Sequence, residues 1–188
     1  MVNHNFGRDE LPRYLKNNYL KSNDLNIAEI GVLNGDYAQT IKSAFLEAKL
    51  HLIDIWQTEG NDFYYSIRKN DTENAYLKAL GRFKDDNKCF FYKEKSSEAC
   101  KRFPDNFFDL IYIDADHSYD GVKNDILSWL PKIKIGGFIC GHDFDPDLEM
   151  PEGNIFGVNK AVTEIFKDKI DKVCLTNEPY FKSWFIQK

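Results

Sequence analysis

The stretch "FFDLIYIDADHSYDGVKNDILSWLPKIKIGGFICGHDF", residues 107–144, decides how this chain folds. It opens on an apolar run that stops abruptly at Asp114, Asp116 and His117. An amphipathic segment follows, then a second apolar run over residues 136–144 that ends in His142 and Asp143. A short apolar run, a helical period and another short apolar run read as strand, helix and parallel strand.

The same alternation extends in both directions. Upstream, strands are expected at 26–30, 50–56 and 88–94, with helices over 36–48, from Asp71 to about Phe83, and over "SSEACKRF". Leu11, Leu15 and Tyr19, spaced by four, predict a lead-in helix over 9–21. Downstream, a helix is expected over 157–168 and strands at 170–175 and 180–187, the last alternating enough to be antiparallel at a sheet edge. The sum is an α/β, Rossmann-like, doubly wound sheet of seven mainly parallel strands with an antiparallel last strand. One domain over 1–188 is expected, with 1–25 as a helical N-terminal lead-in. Segments 57–87 and 144–158 are expected on the substrate side.

Bulk properties narrow the function. The chain has 188 residues, 43% of them hydrophobic, and a formal charge of −5. That charge argues against a general nucleic-acid binder, which needs a basic face. No run is long enough to span a membrane and no signal-type apolar region opens the chain, so a cytoplasmic location is expected. Cys89, Cys100, Cys140 and Cys174 lack any CxxC pairing and read as free thiols.

In a doubly wound sheet, ligands bind beyond the C-terminal strand ends. After the first core strand comes "EIGVLNGDY", with Glu29, Gly31 and Gly35. Glycines there let a ligand approach the backbone and a helix N-terminus. The spacing E-x-G-x-x-x-G is not that of dinucleotide enzymes. Its acid suits an ammonium or sulfonium group, although an ordinary glycine turn explains the loop as well. Asp54, ending the next strand, is placed to accept from ribose hydroxyls, with Ile55 and Trp56 beside an adenine. Ser96 and Ser97 are adenine-edge contacts or plain helix caps. Asp114 and Asp143, on adjacent tips, are close enough to share a divalent cation such as Mg²⁺. His117 is then a base for a substrate hydroxyl. The bland reading keeps His117 and Ser118 as a helix start and Asp143 as a solvated acid.

Together "AEIGVLNGDYA", "LIDIW", the 107–144 stretch and the later "GVNKAV" resemble class I S-adenosylmethionine-dependent methyltransferases. The closer likeness is to bacterial sugar (macrocin-type) and catechol-type O-methyltransferases. The resemblance runs from about residue 26 to 168. It implies that Glu29, Gly31, Val32 and Gly35 hold the methionine part of the cofactor, Asp54 the ribose, and Ile55 and Ser96 the adenine, with Asp114 also beside the cofactor. It implies Asp114 and Asp143 as metal ligands and His117 as general base. Two positions depart from the family pattern: Phe144 follows the second metal acid and His142 precedes it, so His142 or Asp145 must supply a third ligand. The N-terminal helices that often form a lid and dimer contact are mostly missing from about 25 residues, and a homo-oligomer is left open.

The function implied is O-methylation of a small hydroxylated molecule, such as a sugar or secondary metabolite, by S-adenosylmethionine, assisted by Mg²⁺ or another divalent cation. A metal-independent methyltransferase using His117 or His142 is the alternative, and a non-catalytic cofactor-binding domain is a third reading. Tyr64, Tyr65, Trp56 and Phe144 are candidates for lining the acceptor pocket. Asp116, Asp120 and Asp125 read as loop and helix-surface residues.

Overall fold

A computed structural model describes residues 1–57, 72–145 and 156–188 of the chain. The strands are β1 (Val2–Asn3), β2 (Asn26–Ile30), β3 (Lys49–Asp54), β4 (Cys89–Lys93), β5 (Phe108–Ile113), β6 (Ile133–Phe144), β7 (Cys174–Leu175) and β8 (Lys182–Gln187). They form one sheet in the order β1-β7-β8-β6-β5-β2-β3-β4. Every pairing is parallel except those of β8, which runs antiparallel to β6 and to β7. The described helices are α1 (Leu11–Asn18), α2 (Asp36–Ala44), α3 (Thr72–Phe83), α4 (Ser96–Ala99), α5 (Tyr119–Trp129) and α6 (Val158–Ile165).

Side-chain alternation divides the core in two. Ile27, Leu50, Leu52, Leu110 and Tyr112 pack against α1, α2 and α3. Ala28, Ile30, Ile53, Ile111 and Ile113 pack on the other face against α4, α5 and α6. Covering both faces is why these parallel strands read as continuous apolar runs. Helix α5 shows the matching period: Ser118 caps it by accepting from the Gly121 amide, and Val122, Ile126 and Trp129 bury one stripe. Each such burial contributes roughly 1.5–3 kcal/mol.

Three expectations needed correction. The sheet has eight strands, because Val2–Asn3 adds a parallel pair to β7 at the edge. The antiparallel last strand does not lie at an edge; it is inserted between β6 and β7 and buried on both faces from Ser183 to Ile186. The strand expected at 170–175 shrinks to Cys174–Leu175, because Lys167–Lys172 forms a 3₁₀ turn with little apolar surface to bury. All four cysteines are free thiols. Among the described residues no helix is long and apolar enough to cross a membrane.

Candidate functional site

From β2 the chain winds outward through β3 and β4, then returns to place β5 on β2's other side. The reversal opens a crevice between the C-terminal ends of β2 and β5, the position where such sheets bind ligands. Gly31 turns the chain there with φ +86°, and a Cβ would lie 2.1 Å from the Asp114 carbonyl oxygen. Only glycine fits that contact. Gly35, at φ +80°, starts α2. Between them the loop is held through its amides by a side chain: Asp54 Oδ2 accepts from the Val32 and Leu33 amides, each at 2.8 Å, and Oδ1 from the Trp56 amide at 2.8 Å. Trp56 Nε1 donates to the Leu33 carbonyl at 2.6 Å.

Glu29 lies on the α1/α2/α3 face of β2, opposite Tyr112, and is 1% exposed. Its Oε2 has no hydrogen-bond partner among the described residues. Burial and the neighbouring Asp114 push its carboxyl well above the ordinary range, against the opposing charge of Arg8. An orphaned buried carboxylate oxygen, a glycine turn with no space for a side chain, and an acid on the next strand fit a ligand bearing an ammonium group and a ribose. Asp54 already accepts three amides, but a carboxylate offers about four acceptor positions, leaving capacity for a hydroxyl. Val32 is buried in the core and Ile55 is half-buried. Ser96 is occupied within the protein: its hydroxyl donates to Asp125 Oδ1 at 2.6 Å and accepts from Trp129 Nε1 at 2.7 Å. Asp125 is therefore buried rather than a helix-surface residue.

At the tips of β5 and β6 side chains do the work. Consecutive residues on a strand point to opposite faces, yet His142 and Asp143 both reach this site. The reason is an irregularity: the β6–β8 register shifts between Gly141 and Phe144, and Asp143 takes a left-handed φ of +58°. A bulge of this kind re-aims side chains. Asp143 Oδ2 lies 2.8 Å from His117 Nδ1, and Oδ1 lies 3.1 Å from His142 Nδ1. The ring of His117 stacks on Phe156, centroids 4.9 Å apart. Asp114 Oδ2 receives a guanidinium N–H of Arg8 at 2.5 Å, and another guanidinium nitrogen lies 3.3 Å from His142 Nδ1. The His142 ring nitrogen donates to Asp143 or accepts from Arg8 according to its tautomer.

These pairs set the charges. Burial works against a charged His117, but its hydrogen bond to Asp143 and the fields of Asp143, Asp114 and Asp116 outweigh it, raising the imidazole above its usual range. Burial likewise opposes an ionised Asp143, yet the bonds from His117 and His142 hold its carboxyl well below the usual range. Both shifts arise from one contact, which stabilises an imidazolium–carboxylate pair whenever His117 gains a proton.

Asp114, His117 and Asp143 each offer a ligand atom within 4.8 Å of the others. Two carboxylates and an imidazole form a donor set acceptable to a hard or borderline divalent cation. His142, expected as third ligand, is not one of these three, although its Nδ1 lies 3.9 Å from Asp114 Oδ1 and 3.1 Å from Asp143 Oδ1. Trp56 and Phe144, offered as acceptor-pocket lining, are instead 2% exposed core residues. Tyr64 and Tyr65, with residues 58–71 and 146–155 of the two segments expected on the substrate side, fall outside the described residues. Sequence reasoning missed Arg8. It also missed a groove of about 430 Å³ between the Gly7–Glu10 turn and Glu178, Tyr180 and Phe181, floored by Arg8 and His142.

A family model described as a methyltransferase domain matches residues 28–144. An uncharacterized protein, y4gI, of Sinorhizobium fredii is 23% identical over 107 residues, or 57% of this chain. The chain spans only 11% of that relative's length. A solved structure of a candidate caffeoyl-CoA O-methyltransferase from Staphylococcus aureus superposes with TM-score 0.65 at 18% identity, covering 96% of this chain and 82% of that one. A candidate rRNA methylase from Clostridium thermocellum gives TM-score 0.65 at 12% identity, covering 98% and 97%. At such identities the structural likeness speaks for the fold.

Proposed function

The chain belongs to the methyltransferase-domain family, and from that premise we propose that it is an S-adenosylmethionine-dependent enzyme that methylates a hydroxyl of a small acceptor, with His117 as base. The observation that carries this reading is the 2.8 Å contact of His117 Nδ1 with Asp143 at the strand tip beside the Gly31 turn. Glu29, Gly31, Val32 and Gly35 would hold the methionine part of the cofactor, with Asp54 and Ile55 toward its nucleoside. Bound there, the cofactor supplies an electrophilic methyl carbon on a positively charged sulfur.

The chain's own task is alignment and proton removal. Engaging Nδ1 with Asp143 fixes the ring's orientation and assigns proton exchange to Nε2. His117 takes the acceptor hydroxyl's proton as the oxygen forms its bond to carbon and the carbon–sulfur bond breaks toward sulfur. Asp143 stabilises the imidazolium that results. A divalent cation on Asp114 and Asp143, with His142 nearby, would add Lewis acidity toward the acceptor oxygen. The metal-free alternative is favoured by one observation: Asp114 already pairs with Arg8, and Asp143 with His117.

Calorimetric titration with S-adenosylhomocysteine, with and without Mg²⁺, tests the cofactor claim. Wild type is expected to bind and Asp54→Ala to bind at least about tenfold more weakly; no binding by wild type sinks the reading. Transfer of labelled methyl to a panel of catechols and simple glycosides, with and without a chelator, separates the two versions. Turnover that survives chelation selects the metal-free one.

A further inference from the structure

Arg8 lies outside the family match and is brought to the reaction centre by residues 1–10. That arm is well anchored on both sides of it. Val2–Asn3 pairs with β7, and the Asn177 amide donates to the Phe6 carbonyl at 3.1 Å. Glu10 Oε2 accepts from the Gly7 amide at 3.0 Å, the Glu178 carboxylate accepts from the Arg8 amide, and the Tyr37 hydroxyl donates to the Arg8 carbonyl at 3.3 Å. The backbone is thus set so that the side chain runs inward. Its guanidinium carbon sits 4.1 Å over the Tyr37 ring and 5.3 Å from that of Tyr112, while one N–H reaches Asp114 Oδ2 at 2.5 Å.

Stacking alone would make Arg8 a structural tie. Its placement says more. Of the two carboxylates in the Asp114, His117, Asp143 cluster, Asp143 is matched by a histidine at hydrogen-bond distance and Asp114 by Arg8. A guanidinium on Asp114 repels a dication brought to the same carboxylate, and in a half-buried site water screens that repulsion weakly. It also occupies an oxygen that the ion would need.

We propose that Arg8 is a positioning residue that holds Asp114 and competes with a divalent cation for it, so that the N-terminal arm sets the metal affinity of the site. This rests on the metal-assisted form of the reading above. An ion entering the cluster must displace the guanidinium from Oδ2, and the arm's anchors bring it back when the ion leaves.

The test uses Mn²⁺ alone, with free ion followed by electron paramagnetic resonance, on wild type, Arg8→Met, Arg8→Lys and the Arg8→Met/Asp114→Asn double variant. Methionine keeps the length and packing of the stem without charge or donors. Arg8→Met is expected to bind Mn²⁺ at least about tenfold tighter than wild type, since charge and hydrogen bond are removed together. Arg8→Lys should bind about threefold tighter, because the ammonium cannot serve Asp114 and His142 as the fork does. The double variant should lose the gain. A merely structural Arg8 predicts equal or weaker binding in Arg8→Met, and that result overturns the proposal while leaving a metal-binding wild type intact. Absence of Mn²⁺ binding in every variant overturns the metal reading itself, and the competition with it. If Arg8→Met loses its near-ultraviolet circular dichroism, Arg8→Lys decides: tighter binding supports the proposal and unchanged binding overturns it.

Discussion

At the tip of β2 the contacts converge on backbone groups: Asp54 gathers the amides of Val32, Leu33 and Trp56, and Gly31 makes way for the Asp114 carbonyl. At the tips of β5 and β6 the contacts belong to side chains, with Arg8 on Asp114 and His117 and His142 around Asp143. The first region is a mould and the second a balance of charges. A mould tolerates changes of charge better than changes of volume. A charge balance does the reverse, and it is the part suited to moving a proton.

The sharpest way to break the contrast is Gly31→Ala. One methyl group placed 2.1 Å from a carbonyl oxygen, at a positive φ, should cost more than about 4 kcal/mol or prevent folding. Urea unfolding measures it, and a cost below about 1 kcal/mol would mean the turn is no mould. Next is Asp143→Asn, which keeps the volume and removes the charge. Turnover should drop about a hundredfold or more, while affinity for S-adenosylhomocysteine shifts less than about threefold. Equal losses in both would show that the two regions are not separate.

An effect of similar size concerns Asp125, which sits with Ser96 near the tip of β4. Burial raises its carboxyl to about 6, above its unfolded value, despite the hydrogen bond from Ser96. Between roughly pH 4 and 6 the folded chain therefore binds more protons than the unfolded one, and this residue's contribution to stability falls as pH rises. The loss is about 3 kcal/mol and is complete above the folded value. Asp125→Asn should remove it, so the variant's stability relative to wild type grows between pH 4.5 and 7. A pH-independent difference would contradict the assignment.

Much of this was legible in the sequence. Asn26–Ile30 falls on the expected residues because Ile27, Ala28 and Ile30 bury on its two faces and the strand ends sharply at a glycine. Asp114, His117 and Asp143 could be brought together because strand tips in this topology converge. What stayed hidden has no local signature. Arg8 is a lone basic residue in a polar stretch, and its carboxylate partner lies 106 positions away. The bulge that turns His142 and Asp143 the same way arises from β6 and β8 falling out of register, a property of the pair and not of either strand. The place of β8 inside the sheet was equally invisible, since alternation predicts direction but not neighbours.

That inserted strand has a consequence for the order of events during synthesis. Trp184 covers Gly141, Ser183 Oγ lies 2.8 Å from the Tyr112 hydroxyl, and Lys182–Gln187 lines β6 from Phe138 to Phe144. A nascent chain can assemble β2 through β5 while residues beyond 180 are still inside the ribosome, but β6 then has an open edge and Asp143 has no bulge to hold it. The glycine turn can form early; His117 and Asp143 come into register only when the last strand slides into the gap. A chain cut short before Lys182 would therefore keep the glycine turn and lose the pairing that shapes the tip of β6.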